Sequence, residues 1–187
     1  MITDHDRSGW FGASDVQYIV GNWDTKTFES WWRVKQGFEA NDFTNDAMLA
    51  GTYYEHRILE SIGLPMTYDR QVLIPALRLR VNLDAESGET IYECKTYRWE
   101  RGFKMPKKYL QQVWVQMYAT GFREGYIVTY GLEEEDYRNY YRDIDQTRMR
   151  LIPVEYDEEW VNETFLPRLT CLAMCLTEGR FPKQDFG

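Results

Sequence analysis

Arg78-Leu79-Arg80-Val81-Asn82-Leu83-Asp84, a turn at residues 86–89 and then Thr90-Ile91-Tyr92-Glu93-Cys94-Lys95-Thr96-Tyr97 decide the fold. Leu77, Leu79, Val81 and Leu83 alternate with Arg78, Arg80, Asn82 and Asp84, the period of two that marks a half-buried strand. Beyond the turn, which carries Gly88, Ile91, Glu93, Lys95 and Tyr97 share one face; Thr90, Tyr92, Cys94 and Thr96 share the other. A hairpin of this form brings Asp84 near Glu93, with Lys95 one step along the same face. Two carboxylates and an ammonium at the end of a sheet suit a divalent cation and an attacking water. The same residue types are ordinary on a solvated strand face, so the pattern alone leaves both readings open.

Outward from this stretch, residues 68–74 add a preceding strand, giving three in sequence. Before them, Ser14-Asp15 opens a helix that Gly21 closes, and Asp24 is placed to cap a second one through Phe28, Trp31, Trp32 and Val34 to Gly37. Thr44 or Asn45 opens a third, ending at Gly63 before Pro65. Its apolar stripe, drawn through Met48, Gly51, Ile58, Leu59 and Ile62, also carries Glu55. A carboxylate on a core-facing stripe is costly unless paired, hydrogen-bonded or metal-bound, or unless it sits at the stripe's edge and reaches water. Gly51 weakens the helix, which close approach of another element explains.

After the hairpin, Pro106 starts a helix that Gly121 closes. Tyr109, Gln112 and Gln116 lie on one face of it, and Leu110, Val113, Trp114 and Met117 on the other. The polar face suits either bulk solvent or a bound water or phosphate. A strand at residues 126–130, extended runs at 138–144 and 149–156, and a last helix from Asp157 to Gly179 follow, with a kink or break at Pro167. This order predicts an α/β (α+β) domain with a central mixed β-sheet flanked by helices.

A chain of 187 residues with 43% hydrophobic and 16% aromatic content is large enough for a single domain, residues 1–187, with its own core. No apolar run approaches the roughly 20 residues that span a bilayer, and residues 1–7 show no secretory signal. Cys94, Cys171 and Cys175 form no Cys-x-x-Cys pair, which suits a reduced cytoplasmic protein and argues against a thiolate metal cluster. The net charge of −8 excludes a broadly basic nucleic-acid coat. Locally, however, Arg98, Arg101, Lys104, Lys107 and Lys108 stand against Glu100 alone, directly after Lys95.

Together these segments resemble the PD-(D/E)xK nucleases, and more closely the lambda-exonuclease type of phage recombination nuclease. Arg7-Ser8-Gly9-Trp10-Phe11-Gly12-Ala13-Ser14 is similar to that family's Arg-x-Gly-x-x-x-Ala-Ser segment, Gly51-Thr52-Tyr53-Tyr54-Glu55 to its Gly-x-x-x-Glu helix, and Asp84 with Glu93-Cys94-Lys95 to its core Asp and Glu-x-Lys. Tyr109-Leu110-Gln111-Gln112 resembles the helix whose Tyr and Gln flank the catalytic centre. Asn82-Leu83-Asp84 departs from the family by lacking the Pro before the Asp.

The resemblance implies a restriction-endonuclease-like core. It also implies one or two Mg²⁺ (or Mn²⁺) ions on Asp84, Glu93, the Cys94 carbonyl and Glu55, with Lys95, Gln112 and Tyr109 at the reacting water and phosphate. Arg7 and Ser14 would hold a 5′-phosphate, and Arg98, Arg101, Lys104, Lys107 and Lys108 would follow the DNA backbone. The implied activity is 5′→3′ hydrolysis from double-stranded DNA ends in a bacterial cytoplasm, with a single-strand annealing protein as partner and a homotrimer as assembly. An endonuclease of the same fold and a non-catalytic DNA-binding recombination protein are the alternatives.

Overall fold

The computed structural model describes residues 8–40 and 44–183. A 3-10 turn at Ala13–Asp15 leads into the short α1 (Val16–Ile19). Helix α2 (Lys26–Lys35) begins where Thr25 Oγ1 accepts the Phe28 N–H at 3.1 Å, so Thr25 rather than Asp24 is its cap. Asn45 caps α3 (Asp46–Glu60) in the same way, through the Met48 N–H at 2.9 Å. Four short strands follow, β1 (Thr67–Tyr68), β2 (Gln71–Ile74), β3 (Leu79–Asn82) and β4 (Ala85–Ser87), and then the long β5 (Thr90–Arg98). The rest is α4 (Lys107–Thr120), β6 (Glu124–Leu132), α5 (Glu134–Arg138), β7 (Met149–Pro153), α6 (Glu158–Trp160) and α7 (Leu166–Thr177).

Leu79, Val81 and Leu83 are all buried, as their alternation requires. Their partner is not β5, however. Strand β3 pairs antiparallel with β2 in a separate two-stranded sheet, and of the two it is β4 that pairs with β5, around a two-residue Gly88-Glu89 turn. The anticipated single hairpin is thus split at Leu83-Asp84, where the chain steps from one sheet to the other. The expected strand at residues 68–74 is split as well. Asp69, in the left-handed region at φ 56°, bends the chain between β1 and β2.

The main sheet runs β1-β4-β5-β6-β7, with β5 and β6 parallel and the other neighbours antiparallel. The β5–α4–β6 crossover supplies the parallel pair. On one face Ile91 and Ile127 pack with Val113, Met117 and the aromatic cluster of Phe11, Trp23, Phe28, Trp31 and Trp32. On the other, α3 lays Ala50, Tyr54, Ile58 and Leu59 against Tyr92, Cys94, Val128 and Tyr130. The α3 core stripe therefore runs through Ala50 and Tyr54, while Met48 is half-exposed at 49%.

One further expectation is corrected, and another is met by a helix irregularity rather than a break. Residues 138–144 are not a strand; they leave the end of α5 and wrap over α3. Tyr54 Oη donates to the Asn139 carbonyl at 2.7 Å, Arg57 donates to the carbonyls of Tyr140 and Arg142, and Asp136 binds Arg142 at 2.9 Å. The carbonyls of a strand would be engaged by a neighbouring strand; here a helix arginine takes two of them. The last helix does not break at Pro167. A π-helical turn at Val161–Phe165 joins α6 to α7 and absorbs the missing N–H of Pro167 one turn on.

Candidate active site

Because β4 is short, it covers only Thr90, Ile91 and Tyr92 of β5. Beyond Tyr92 that side of β5 carries no neighbouring strand among the described residues, and the site assembles at this open edge. Asp84, just before β4, bends back so that Oδ2 accepts the Cys94 N–H at 2.8 Å. Within a strand the N–H and C=O of one residue point to the same side, so the Cys94 carbonyl opens onto this edge too. The Cys94 side chain points the other way, into the core beneath α3.

Glu93 faces α4 and is 2% exposed. Three donors hold its carboxylate: Lys95 Nζ and Gln112 Nε2 on Oε1, and Gln116 Nε2 on Oε2, each at 2.6 Å. The Lys95 ammonium also lies 5.0 Å from the centre of the Tyr109 ring, within cation–π range. The polar face of α4 thus faces the site rather than solvent. Gln116, fully buried, is a positioning residue beyond the expected set; its place at i+7 from Tyr109 was the signal available in the sequence.

Glu55 arrives from the opposite layer. Helix α3 packs closely on β5 at Gly51, where a Cβ would lie 3.3 Å from Thr96 Oγ1. One turn later Glu55, at the edge of the apolar stripe, reaches round to the open edge. It lines a cleft of about 570 Å³ together with Asp84, Gln112 and, at the far rim, Ser14. Behind Gln112, Glu93 accepts from both Gln112 and Lys95.

The charges in this cluster do not balance. Glu55, Asp84 and Glu93 are three carboxylates against one ammonium. Burial, then the charges of Glu93 and Asp69, push the Glu55 carboxyl up to about 7 despite His56 and Lys95. Burial, then Glu93 and Glu55, hold Asp84 well above the carboxylate range. Burial works against the Lys95 ammonium, but Glu93 and Asp84 outweigh it and keep that group above the ordinary lysine value. A site in this state calls for added positive charge.

His56 and Asp69 adjoin the cluster unannounced by any expected motif. His56 Nε2 lies 3.1 Å from Asp69 Oδ2, and Glu55, His56 and Asp69 can each offer a ligand atom within 4.8 Å of one another. Asp69 reaches this position only through its left-handed backbone, which no local sequence pattern signals.

The segment before α1 is stitched to β3 by Phe11 N–H to the Arg78 carbonyl and Arg80 N–H to the Phe11 carbonyl, both at 2.8 Å. This sets exposed Ser14 on the cleft rim. Below it Asp15 is buried against Lys35 Nζ at 2.6 Å and Trp31 Nε1 at 2.9 Å. Arg7 lies outside the described residues. Arg101, Lys104, Lys107 and Lys108 are exposed. Arg98 is differently placed: it spans Glu100 and Glu134 at 3.7 and 3.5 Å and lies over the Tyr137 ring. Among the described residues no helix is long and apolar enough to cross a membrane.

No protein-family model and no curated protein matches the sequence. Among solved structures the chain is similar to the alkaline exonuclease LHK-Exo of Laribacter hongkongensis, alone and in complex with dAMP. Each comparison has a TM-score of 0.70 at 18% identity and covers 92% of this chain and 90% of that one. It is also similar to a phage-related exonuclease from Haemophilus somnus 129PT, with a TM-score of 0.63 at 13% identity, over 91% of this chain and 94% of that one. At these identities the likeness establishes the fold, a mixed sheet flanked by helices as in these nucleases.

Proposed function

We propose that the protein is a metal-dependent deoxyribonuclease, an exonuclease that works 5′→3′ from double-stranded DNA ends in phage-type recombination. The observation that carries this reading is the convergence of Glu55, Asp84 and Glu93 with Lys95 at the open edge of β5. The fold shared with an alkaline exonuclease and a phage-related exonuclease supports it.

Hydrolysis joins a water oxygen to phosphorus and breaks the bond to the 3′-oxygen, which takes up a proton. The residues fit a hard divalent cation: Asp84, Glu93, Glu55 and the Cys94 carbonyl are all oxygen donors, and two negative charges in excess of Lys95 are what one such ion offsets. One or two Mg²⁺ or Mn²⁺ ions, when bound, polarise the phosphate and lower the pKa of a bound water. Lys95 would position the attacking water and assist its deprotonation; without metal, Glu93 and Asp84 outweigh burial and hold it above the ordinary lysine value, and a cation on those carboxylates would offset that hold. Gln112, at the cleft wall, shares the Glu93 oxygen with Lys95 and is the amide best placed to turn toward the substrate, with Tyr109 beside it. Gln116 keeps Glu93 in place throughout. Ser14, with Arg7, would hold the 5′-phosphate at the rim, while Arg101, Lys104, Lys107 and Lys108, with Arg98 at their start, follow the backbone. A homotrimer, an annealing-protein partner and the cytoplasm of a phage-carrying bacterium complete the proposal.

The test is digestion of linear duplexes bearing 5′-phosphate or 5′-hydroxyl ends, with and without Mg²⁺. Metal-dependent release from 5′-phosphorylated ends, lost in Asp84→Ala, is the expected result. Cleavage of closed circular DNA would instead mark an endonuclease. Equal rates on the two ends would remove the proposed role of Arg7 and Ser14.

A further inference from the structure

The cleft has an aromatic wall that the chemistry does not use. Tyr53, two residues before Glu55, lines the same cleft as Asp84 and Gln112 and is 54% exposed. One face of its ring stacks on Tyr140, with centroids 4.6 Å apart and planes 10° apart. Tyr140 is itself braced from behind. Tyr54, fully buried, meets it edge-on at 6.4 Å, Tyr54 Oη donates to the Asn139 carbonyl, and Arg57 donates to the Tyr140 carbonyl. The Tyr53 ring is therefore backed by a fixed partner on one side while much of its surface stays open to the cleft. An aromatic face held in place before binding loses little conformational entropy when a flat ligand settles on it.

We infer that Tyr53, backed by Tyr140, is a stacking platform for one unpaired base of the DNA strand whose phosphate occupies the cleft; this rests on the nuclease reading above. A cleft of about 570 Å³ is of the size that holds one small ligand, well short of a duplex, so a single strand enters it. A base within a duplex has both faces covered by its neighbours, whereas a base drawn out of the stack has a face to offer. Aromatic stacking accepts any base, so the platform positions the strand without reading its sequence. The backbone carbonyls beside Tyr140 are taken by Tyr54 and Arg57, which leaves the ring face as the recognition element.

The experiment measures binding of the full chain to short 5′-phosphorylated single strands, with Ca²⁺ in place of Mg²⁺ and a single abasic site moved along the strand. Wild type is expected to lose about tenfold in affinity when the abasic site occupies one particular position, with little change at the neighbouring positions. Tyr53→Leu should bind the intact strand about tenfold more weakly and show no such position, whereas Tyr53→Phe should keep it. A purely structural role for the Tyr53–Tyr140 stack would lower affinity for every strand alike and leave the positional drop in place. Equal wild-type affinity for all strands, or a drop that persists in a folded Tyr53→Leu, overturns the platform. If wild type cleaves DNA normally in Mg²⁺, that result bears on the platform alone; absence of all metal-dependent cleavage overturns the nuclease reading and the platform together.

Discussion

Two buried charge clusters flank the main sheet, and they are built on opposite principles. At the far end of β6, Asp136 is fully buried and receives Arg148 Nη1 at 2.6 Å, Arg142 Nη1 at 2.9 Å and the Glu133 N–H at 2.7 Å. Glu133 lies 3.2 Å from Arg142 and 3.6 Å from Arg148. Two carboxylates thus meet two guanidinium groups, and a third, Asp145, half exposed to water, lies 3.5 Å from Arg148 Nε at the margin. At the open edge of β5, three carboxylates share one ammonium, and two of them are pushed up in pKa by burial and then by neighbouring carboxylates. A balanced cluster ties chain segments together; an unbalanced one is held in tension by the rest of the fold and has capacity for a ligand. The comparison separates structural from functional charge where the sequence alone shows only Asp, Glu, Lys and Arg.

Substitutions should divide along the same line. In Lys95→Ala, nuclease activity should fall by about 10³-fold or more while the protein stays folded; rates on labelled duplex ends together with thermal melts check both halves. Asp136→Ala should do the reverse, destabilising the protein by about 3–5 kcal/mol, because Arg148 is left buried without its main partner. Urea titration measures this, and an unchanged midpoint would erase the proposed distinction. Gln116→Met keeps the volume of the side chain but removes the donor to Glu93 Oε2. Affinity for Mn²⁺ by calorimetry should weaken by about 10–100-fold with a smaller change in stability.

The smallest effect sharpens the comparison most. The folded Glu55 carboxyl keeps its proton up to about pH 7, whereas an unfolded one loses it near 4.5. The folded state therefore binds more protons between these values, and without metal its stability falls as pH rises through the window. Asp84, also raised, adds to the same trend. Asp84→Asn removes one of the repelling charges and can still accept the Cys94 N–H. It should raise the metal-free melting temperature at pH 8 by roughly 2–4 °C, about 1 kcal/mol for a chain of this size, while abolishing activity. No gain at pH 8, or an equal gain at pH 4, would argue against charge crowding as the cause.

The sequence disclosed faces better than partners. Alternation correctly placed Leu79, Val81 and Leu83 inside, because period two is a local property. It could not tell that β3 pairs with β2 and leaves β5 to β4, since pairing is decided by long-range contacts. Helical spacing put Tyr109, Gln112 and Gln116 together, and the structure turns Gln112 and Gln116 onto Glu93 and sets the Tyr109 ring beside Lys95. The aromatic-rich residues 138–144 looked extended because their composition favours strands. Their conformation is set instead by Arg57 and the buried Asp136, which lie far from most of them in sequence or act through charge rather than propensity. Asp69 was hidden for a third reason: one left-handed residue redirects its carboxylate, and Asp at a bend carries no signal of where it will point.

Gly51 has a consequence that reaches beyond its own contact. It acts as a shim of zero thickness between α3 and Thr96, where even one methyl group would sit 3.3 Å from the Thr96 hydroxyl. Helix α3 is stiff, so a few tenths of an ångström added at that point would be carried along its axis to Glu55 one turn away. The spacing of the proposed site is thus gauged by a residue that binds nothing, and the missing side chain at Gly51 is as much a dimension of that proposed centre as any of its carboxylates.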